Sequence, residues 1–397
     1  MIASKELNKK FAAQFGSSQK PRLFFSPGRI NLMGDHIDYC GGKVLPVAIQ
    51  LGTYFAVSFN GTHQVNIYST HFNQMKSFSL TGIHYQQEDD WLNYAKGIFF
   101  EYQKSGLPLE GMNILCTGDL PIGSALSSSA SVLVGTSFII QALTGYRHNQ
   151  DDILNRQETA KLCHRAEVEF NGLQCGIMDQ AAVALGKRGK AMYLDCANLS
   201  CEYIDLRLNN HSLLIIDSGK PRQLTDSKYN QRKAEAEAAL KLIQQDLQID
   251  SLCAIDNTRR QQALALLKGD EILFKRADHI ISENLRVDET KDALCNQDMT
   301  RFGKLLNESH QSLHHNYEVT GKELDTLVYR SIEFPSVLGA RMTGAGFSGC
   351  TLTLIKNHAI SAYNEFILPI YKKECNLTAQ IIPMKSADAV EEMKNDH

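Results

Sequence analysis

The sequence predicts an α+β fold, and three observations lead there. Strand-length runs rich in β-branched and aromatic residues are present, long helical segments follow them, and the two do not alternate as a doubly wound parallel sheet requires. At 397 residues the chain exceeds what one hydrophobic core usually supports. Two domains or one large core with insertions are therefore expected; a boundary is placed near 205, giving 1–205 and 206–397, although no Pro/Gly/Ser linker marks it.

In chain order, the opening MIASKELNKKF carries Lys5, Glu6, Lys9 and Lys10 and no apolar run, so it does not read as a secretory leader. Arg22–Ser26, Val44–Phe59, Val65–Ser69 and Met112–Cys116 read as strands. Asp90–Lys104 reads as a helix, followed by Ser129–Leu143 and Gln157–Phe170. Leu213–Asp217 is a short buried strand. Lys228–Leu247 is a helix whose Ala234, Ala238, Leu240, Leu242 and Ile243 face one way amid Lys, Glu and Gln. Asn257–Ile332 is mainly helical, clearest at Asp288–Leu294 and Glu323–Ile332. Val337–Arg341 and Cys350–Ile355 flank a glycine-rich turn, and Gln380–Pro383 adds a strand. Leu120–Tyr146 is uncharged and long enough to cross a bilayer. Its first half, LPIGSALSSSAS, is small and polar, so a buried helix behind a small-residue loop fits better.

Composition excludes several classes. Lys+Arg 41 against Asp+Glu 44 gives a net charge of -3. Neither nucleic acid nor an anionic membrane is an expected partner on that balance. Ten cysteines without a CxxC pair read as reduced thiols in a cytoplasmic protein, and zinc-ligand spacing is missing. The single tryptophan, Trp91, is a core anchor or one wall of a pocket.

Two glycine-rich segments and the lack of a third carry the phosphate question. Pro121–Ser131 leads into the apolar helix. Its small residues let backbone approach a polyphosphate, Ser127, Ser128 and Ser129 add hydroxyls and a candidate Mg²⁺ ligand, and the helix N-terminus adds free N–H groups. A packing loop with a serine N-cap is the alternative. Gly344–Gly349 matches G-x-G-x-x-G, but a strand, CTLTLI, follows it where a dinucleotide site needs a helix. A tight turn between strands is expected there. No G-x-x-x-x-G-K-[ST] occurs, which disfavours a Walker-type NTPase.

Charge concentrates in two places. GRINLMGDHIDYCGG packs Arg29, Asp35, His36 and Asp38 between glycines. Short carboxylates with one histidine suit recognition of several neutral hydroxyls, because carboxylates accept strong hydrogen bonds. Cation binding and a solvated surface turn are the rival readings. In NGLQCGIMDQ, Asp179 sits within a mostly apolar run and is either a buried helix-cap acid or a catalytic one. Upstream, Glu167 lies on a predicted helix with Glu169 facing away.

Taken together, six segments in order resemble the galactokinases of the GHMP small-molecule kinase family: GRINLMGDHIDYCGGKVLP, WLNYAKG, LPIGSALSSSAS, CGIMDQ, YEVTGKELDTLV and RMTGAGFSGC. The resemblance covers nearly the whole chain. It implies an N-terminal ribosomal-S5-like domain and a C-terminal ferredoxin-like domain with the site between them. It implies transfer of the ATP γ-phosphoryl to the anomeric hydroxyl of α-D-galactose, with Mg²⁺ as cofactor. Asp179 would be the base and Arg29 its partner. Asp35, His36, Asp38, Gly176 and Tyr229 would line the sugar site. Ser129 and Glu167 would hold Mg²⁺. Pro121, Gly123, Ser124, Ala125, Leu126, Ser127, Ser128, Ser129 and Ala130 would wrap the triphosphate, and Trp91 and Tyr94 would lie near the adenine.

The chain departs from the family pattern at several positions. Asp35 stands where Glu is more usual, and Ile37 where Thr is, so that HIDYC resembles the N-acetylgalactosamine kinases. Ala125, Ala345 and Ser348 replace usual glycines. If position 125 needs a positive φ, Ala costs about 1 kcal/mol there. RQLTDSKYNQR keeps Tyr229 but lacks a usual histidine. A related sugar kinase, or a galactose and ATP sensor without turnover, are the alternative functions. Ser129–Ala130 argues against the sensor, since members of that kind lack the pair.

Overall fold

The computed structural model describes residues 2–16, 20–121, 123–221 and 226–394. The chain begins with α1 (Ser4–Phe15), β1 (Arg22–Asn31), β2 (Lys43–Val44), β3 (Pro46–Phe59), β4 (Gln64–Ser69) and β5 (Gln74–Ser79). It continues through α2 (Leu92–Lys104), β6 (Met112–Gly118), α3 (Ser128–Thr144), α4 (Asp152–Arg165) and α5 (Met178–Leu185). Then come β7 (Lys190–Asp195), β8 (Cys201–Asp205), β9 (His211–Asp217), α6 (Asp226–Ile243), α7 (Asn257–Ala265), α8 (Glu271–Cys295) and α9 (Met299–Ser312). The last part holds α10 (Lys322–Ile332), β10 (Val337–Thr343), β11 (Cys350–Lys356), α11 (Ile360–Cys375), β12 (Gln380–Pro383) and β13 (Glu391–Glu392).

The mixed α+β reading holds, and the expected strands form. Three sheets are present among the described residues, ordered β13-β1-β3-β6-β4-β5, β10-β11-β9-β12 and β2-β7-β8. β1 pairs antiparallel with β3, with Phe24 opposite Phe55 and Arg29 opposite Ala48. The register shifts between Pro27 and Gly28. Such a bulge re-aims the next side chain, here Arg29. Gly28 is required at it, because a Cβ would lie 2.7 Å from both Leu120 Cδ2 and the Leu126 carbonyl.

The uncharged stretch is a buried helix. Leu133, Val134, Ile139 and Ile140 of α3 are fully buried, and no described helix is long and apolar enough to cross a membrane. Gly344–Gly349 is the turn of an antiparallel hairpin, with Thr343 opposite Cys350. On the other face of the first sheet, Leu7 and Phe11 of α1 pack with Leu23, Phe25 and Tyr54. The main core is continuous from Phe24 and Ile30 to Ile280, Leu305 and Met342, so apolar packing ties the first and last thirds of the chain together.

Two differences from the sequence reading have local causes. The helix expected at Gln157 starts at Asp152, because the Asp151 side chain accepts the Leu154 N–H at 2.9 Å and caps it. It does not run uniformly to Phe170 but widens into a π turn at Ala166–Phe170. π turns of this kind are frequent at functional sites, and this one carries Glu167. The position where the usual histidine was looked for falls in 222–225, outside the described residues.

Candidate active site

One pocket gathers side chains from β1, the loop before α3, the π turn, the start of α5, α6 and the β10–β11 turn. Arg29, Asp35, His36, Asp38, Tyr94, Glu167, Gly176, Asp179 and Tyr229 line it, with Gly123, Ala125, Ser127, Ser128 and Ser129. Ser124, Leu126 and Ala130 are buried behind that wall. Trp91 is not on the pocket wall. It stacks on Phe72, with ring centroids 5.6 Å apart and planes 6° from parallel, one helical turn before Tyr94.

At the centre is a two-pronged ion pair. Arg29 Nε donates to Asp179 Oδ1 at 2.8 Å and Nη2 to Oδ2 at 2.9 Å. Nη1 donates to the Ala125 carbonyl at 2.7 Å, fastening the serine loop to the pair. Asp179 lies in the first turn of α5, where the helix dipole favours a carboxylate. Ser127 Oγ donates to Oδ2 at 2.5 Å. The side chain of Arg29 is 5% exposed and that of Asp179 27%, so the carboxylate opens to the pocket and the guanidinium is walled in.

The serine loop has an unusual backbone. Gly123, Ala125 and Ser127 all have positive φ, at 68°, 58° and 63°, and neither Ser124 nor Leu126 between them does. Alternation of this kind is a backbone pattern of anion-binding concavities, although the Ser124 N–H is taken by the Pro121 carbonyl at 3.4 Å. The N-terminus of α3 opens at its end. Left-handed conformation at two non-glycine residues is costly and is typical of functional loops.

The residues expected to line a sugar site separate into two kinds. Asp38 faces the pocket. A Cβ on Gly176 would lie 2.1 Å from Asp38 Oδ2, so glycine is what lets this acid approach. Burial first, and the neighbouring Asp179 second, push Asp38 up to about 6, against N–H bonds from Tyr39 and Met178. Asp35, 1% exposed, is already saturated. Its Oδ1 accepts from Asn31 Nδ2 at 2.7 Å, and its Oδ2 accepts from Arg341 and from the Gly344 N–H at 3.2 Å. Burial raises Asp35 against the pull of Arg341.

His36 has both ring nitrogens in use. Nε2 contacts the Ala345 carbonyl at 3.1 Å, which can only accept, so Nε2 bears the proton. Nδ1 therefore accepts from Tyr39, 3.2 Å away, and Tyr39 accepts from Tyr317 at 2.7 Å. Burial holds this imidazole down at about 3, which fits the neutral tautomer. The Tyr229 ring lies 5.3 Å from it.

Glu167, 5% exposed, accepts from Gln180 Nε2 and from Ser129. Burial pushes it up to about 7, Ser129 opposes that, and Asp179 adds to it. No described cation pairs with it. Glu169 is exposed and points toward Lys104, as expected.

Residues outside the sequence-level list also belong here. Arg341, Gln180 and the turn residues Gly344, Ala345, Gly346 and Ser348 either line the pocket or hold a residue that does. A charged residue inside an otherwise apolar strand run was the available signal for Arg341.

A positive-φ serine loop, an adjoining acid cluster and a mixed α+β frame occur here in a chain of the GHMP kinase class. The family models agree: GHMP kinases N terminal domain matches residues 93–187 and GHMP kinases C terminal matches 290–367. The chain belongs, within that class, to the galactokinase family. The galactokinase galactose-binding signature matches residues 9–59, which include Arg29, Asp35, His36 and Asp38. A galactokinase of Clostridium tetani is 41% identical over 93% of this chain and 92% of its own. One of Bacillus subtilis is 38% identical over 98% of this chain and 99% of its own. The structure of Lactococcus lactis galactokinase complexed with galactose superposes with a TM-score of 0.93 at 36% identity, covering 98% of this chain and 99% of that one. Methanococcus jannaschii mevalonate kinase, at 19% identity and TM-score 0.61, shares the fold, covering 94% of this chain and 100% of that one.

Proposed function

We propose that the protein transfers the γ-phosphoryl group of ATP to the anomeric hydroxyl of α-D-galactose, giving galactose 1-phosphate and ADP. As a member of the galactokinase family it is an ATP-dependent sugar kinase. The observation that carries the mechanistic reading is the Arg29–Asp179 pair, which stands where the serine loop and the acid cluster meet.

In this reading Asp179 accepts the proton of the sugar hydroxyl as the phosphoryl group moves. Arg29 fixes the carboxylate in two directions and offers positive charge to the transferring group. Transfer states of this kind are loose, so holding the reactants in line and spreading charge count for more than base strength. Asp38 receives sugar hydroxyls across Gly176, with His36 and Tyr229 forming the adjoining wall. Asp35 sets that wall from behind. The free N–H groups of the serine loop and of the α3 N-terminus receive the phosphates, and the adenine lies on the side of the pocket that Tyr94 of α2 lines.

The donor set fits Mg²⁺. Glu167 is a buried carboxylate with no described cation partner beside a serine hydroxyl, and Mg²⁺ is usually held by one or two carboxylates plus substrate phosphates. Ser129 and Glu167 would hold it. It would supply positive charge to the phosphate oxygens of ATP.

A division of the chain near residue 205 belongs to the same reading. It is supported by the sheets: β9, β10, β11 and β12 form their own, starting at His211, while β13 returns to the first. A cytoplasmic setting is supported by the ten cysteines, all unpaired.

The test is ADP release with Mg-ATP and a panel of galactose, glucose, N-acetylgalactosamine and mevalonate, compared by kcat/KM because specificity is a ratio. Galactose is expected to lead by at least tenfold. A lead by N-acetylgalactosamine would move the assignment to that sugar. Tight binding of galactose and ATP without ADP would make the protein a sensor.

A further inference from the structure

The most heavily buried charges in the molecule lie behind the sugar-side wall, and none of them is needed for phosphoryl transfer itself. Arg341 on β10 is fully buried. Its Nε donates to the Met342 carbonyl at 2.8 Å, its Nη1 to the Leu32 carbonyl at 3.1 Å, and its Nη2 to Asp35. Behind it, 3.6 Å from Nη1, lies Glu283 of α8, also fully buried. Arg286 Nε donates to Glu283 Oε2 at 2.8 Å, so the row Arg286–Glu283–Arg341–Asp35 alternates in sign and balances.

α8 also grips the backbone that carries Asp35. Glu283 Oε1 accepts the Gly34 N–H at 3.1 Å and the Ser309 hydroxyl at 2.7 Å. His279, one turn earlier, donates from Nε2 to the Asp35 carbonyl at 3.2 Å. Asn284 Oδ1 accepts the Lys43 N–H at 2.9 Å. Residues 279 and 283 share one helix face, and 284 lies about 100° round from 283. Two adjoining sides of one helix from the later half thus hold both ends of the loop that presents Asp35 and Asp38.

We infer that Glu283 and Arg341 are positioning residues for sugar recognition, holding the Gly34–Asp38 loop and the Asp35 carboxylate in the orientation the sugar meets. The inference rests on the sugar assignment above and adds residues to it. Neither residue is placed against ATP. Their loss is therefore expected to alter the galactose KM and to spare the ATP KM, whereas general damage to the fold would alter both.

The experiment is steady-state kinetics on the full chain, with thermal unfolding as a check. Wild-type turnover of galactose is read first; its absence defeats the functional reading and this one with it. Glu283→Gln keeps shape but removes the charge facing Arg286 and Arg341. Arg341→Lys keeps charge but cannot serve two carbonyls and Asp35 together. Each is expected to raise the galactose KM about tenfold with the ATP KM and kcat within about twofold. Ser309→Ala removes one of Glu283's bonds without a charge change and is expected to move the galactose KM two- to threefold the same way. It decides the matter if the charge variants do not fold. Glu289→Gln, outward on the same helix, is expected to change neither constant. An unchanged galactose KM in the folded variants, or equal rises in both KM values, overturns the proposal.

Discussion

Two Asp–Arg pairs, one facing the pocket and one behind its wall, differ in how they are finished. Asp179 meets Arg29 through two parallel bonds, takes a third from Ser127, and remains 27% exposed on its side chain. Asp35 meets Arg341 through one oxygen, is closed off by Asn31 and Gly344, and is 1% exposed. The same two residue types are thus used once toward the pocket and once toward the interior. The lesson is that an ion pair's work depends on what lies on its open side. A pair with a face toward the pocket can act on a bound molecule, while a saturated pair can act only through the backbone it holds.

The largest expected effect tests the pocket-facing pair. Asp179→Asn keeps size and loses the proton acceptor, so kcat is expected to fall by about 10³-fold or more, near the upper range for acid–base groups. The circular dichroism spectrum should stay close to wild type, while the unfolding midpoint should fall modestly, because the 27% exposed Asp179 is wetted but the 5% exposed Arg29 loses its charged partner. A fall of less than tenfold would remove Asp179 from the proton-accepting role.

The matching change on the interior pair should do the reverse. Asp35→Asn leaves Arg341 charged and unpaired in the core, and breaking a buried pair by removing one partner costs about 3–5 kcal/mol. Urea unfolding is expected to show that loss, with the galactose KM rising and kcat at saturating sugar falling far less than in Asp179→Asn. If the two Asn variants lose the same property, the two pairs are not distinct in the way their burial implies.

Much of this was legible in the sequence, for physical reasons that also explain the rest. The strands beginning at Arg22, Pro46, Gln64 and Met112 carry enough β-branched and aromatic residues to announce themselves. β7 and β8, KAMYLD and CEYID, are short, carry charged residues and form a small sheet in which β7 alone pairs with the two-residue β2, so nothing local marks them. α11 carries Pro369 within it, which argues against a helix locally while its buried Tyr363, Ile367 and Tyr371 hold it in place. At the site, residue types and motif order pointed to Arg29, Asp38, Glu167 and Asp179. Exposure was not readable, so Asp35 looked equivalent to Asp38. Trp91 was expected as a wall near adenine, and its neighbour is Phe72 because the π faces pack where the helix starts.

Asp38 sharpens the contrast through pH. Its carboxyl sits at about 6 against an ordinary 3.8, with burial the main cause. A carboxyl raised in the fold favours the folded state when protonated, and that contribution is lost as pH rises through about 6. Asn carries no charge at any pH. Asp38→Asn should therefore gain stability relative to wild type between pH 4 and 7 and level off above, by about 1–3 kcal/mol. Urea midpoints at pH 4.5 and 8 check this, and the galactose KM should rise at both. Equal differences at the two pH values would mean that Asp38 is not held high.

The smallest effect concerns the serine loop, which the pocket-facing pair holds through the Ala125 carbonyl. Ala125 sits at φ 58°, where an L side chain is strained by about 1 kcal/mol and glycine is not. Ala125→Gly relieves that strain but frees the unfolded chain, so the expected net gain is about 0.5 kcal/mol. A more telling quantity is the ATP KM. If the array of loop N–H groups that would meet the phosphates is fixed by Arg29 and by the alternating backbone, glycine at 125 keeps it and the ATP KM stays within twofold. If the methyl is what holds the array, because it lies against the turn at Gly344 and Gly349, the ATP KM rises severalfold while stability still improves. That second result would shift the rigidity of the phosphate loop from the Arg29–Asp179 pair to the β10–β11 turn, and the pocket-facing pair would then be charged with chemistry alone.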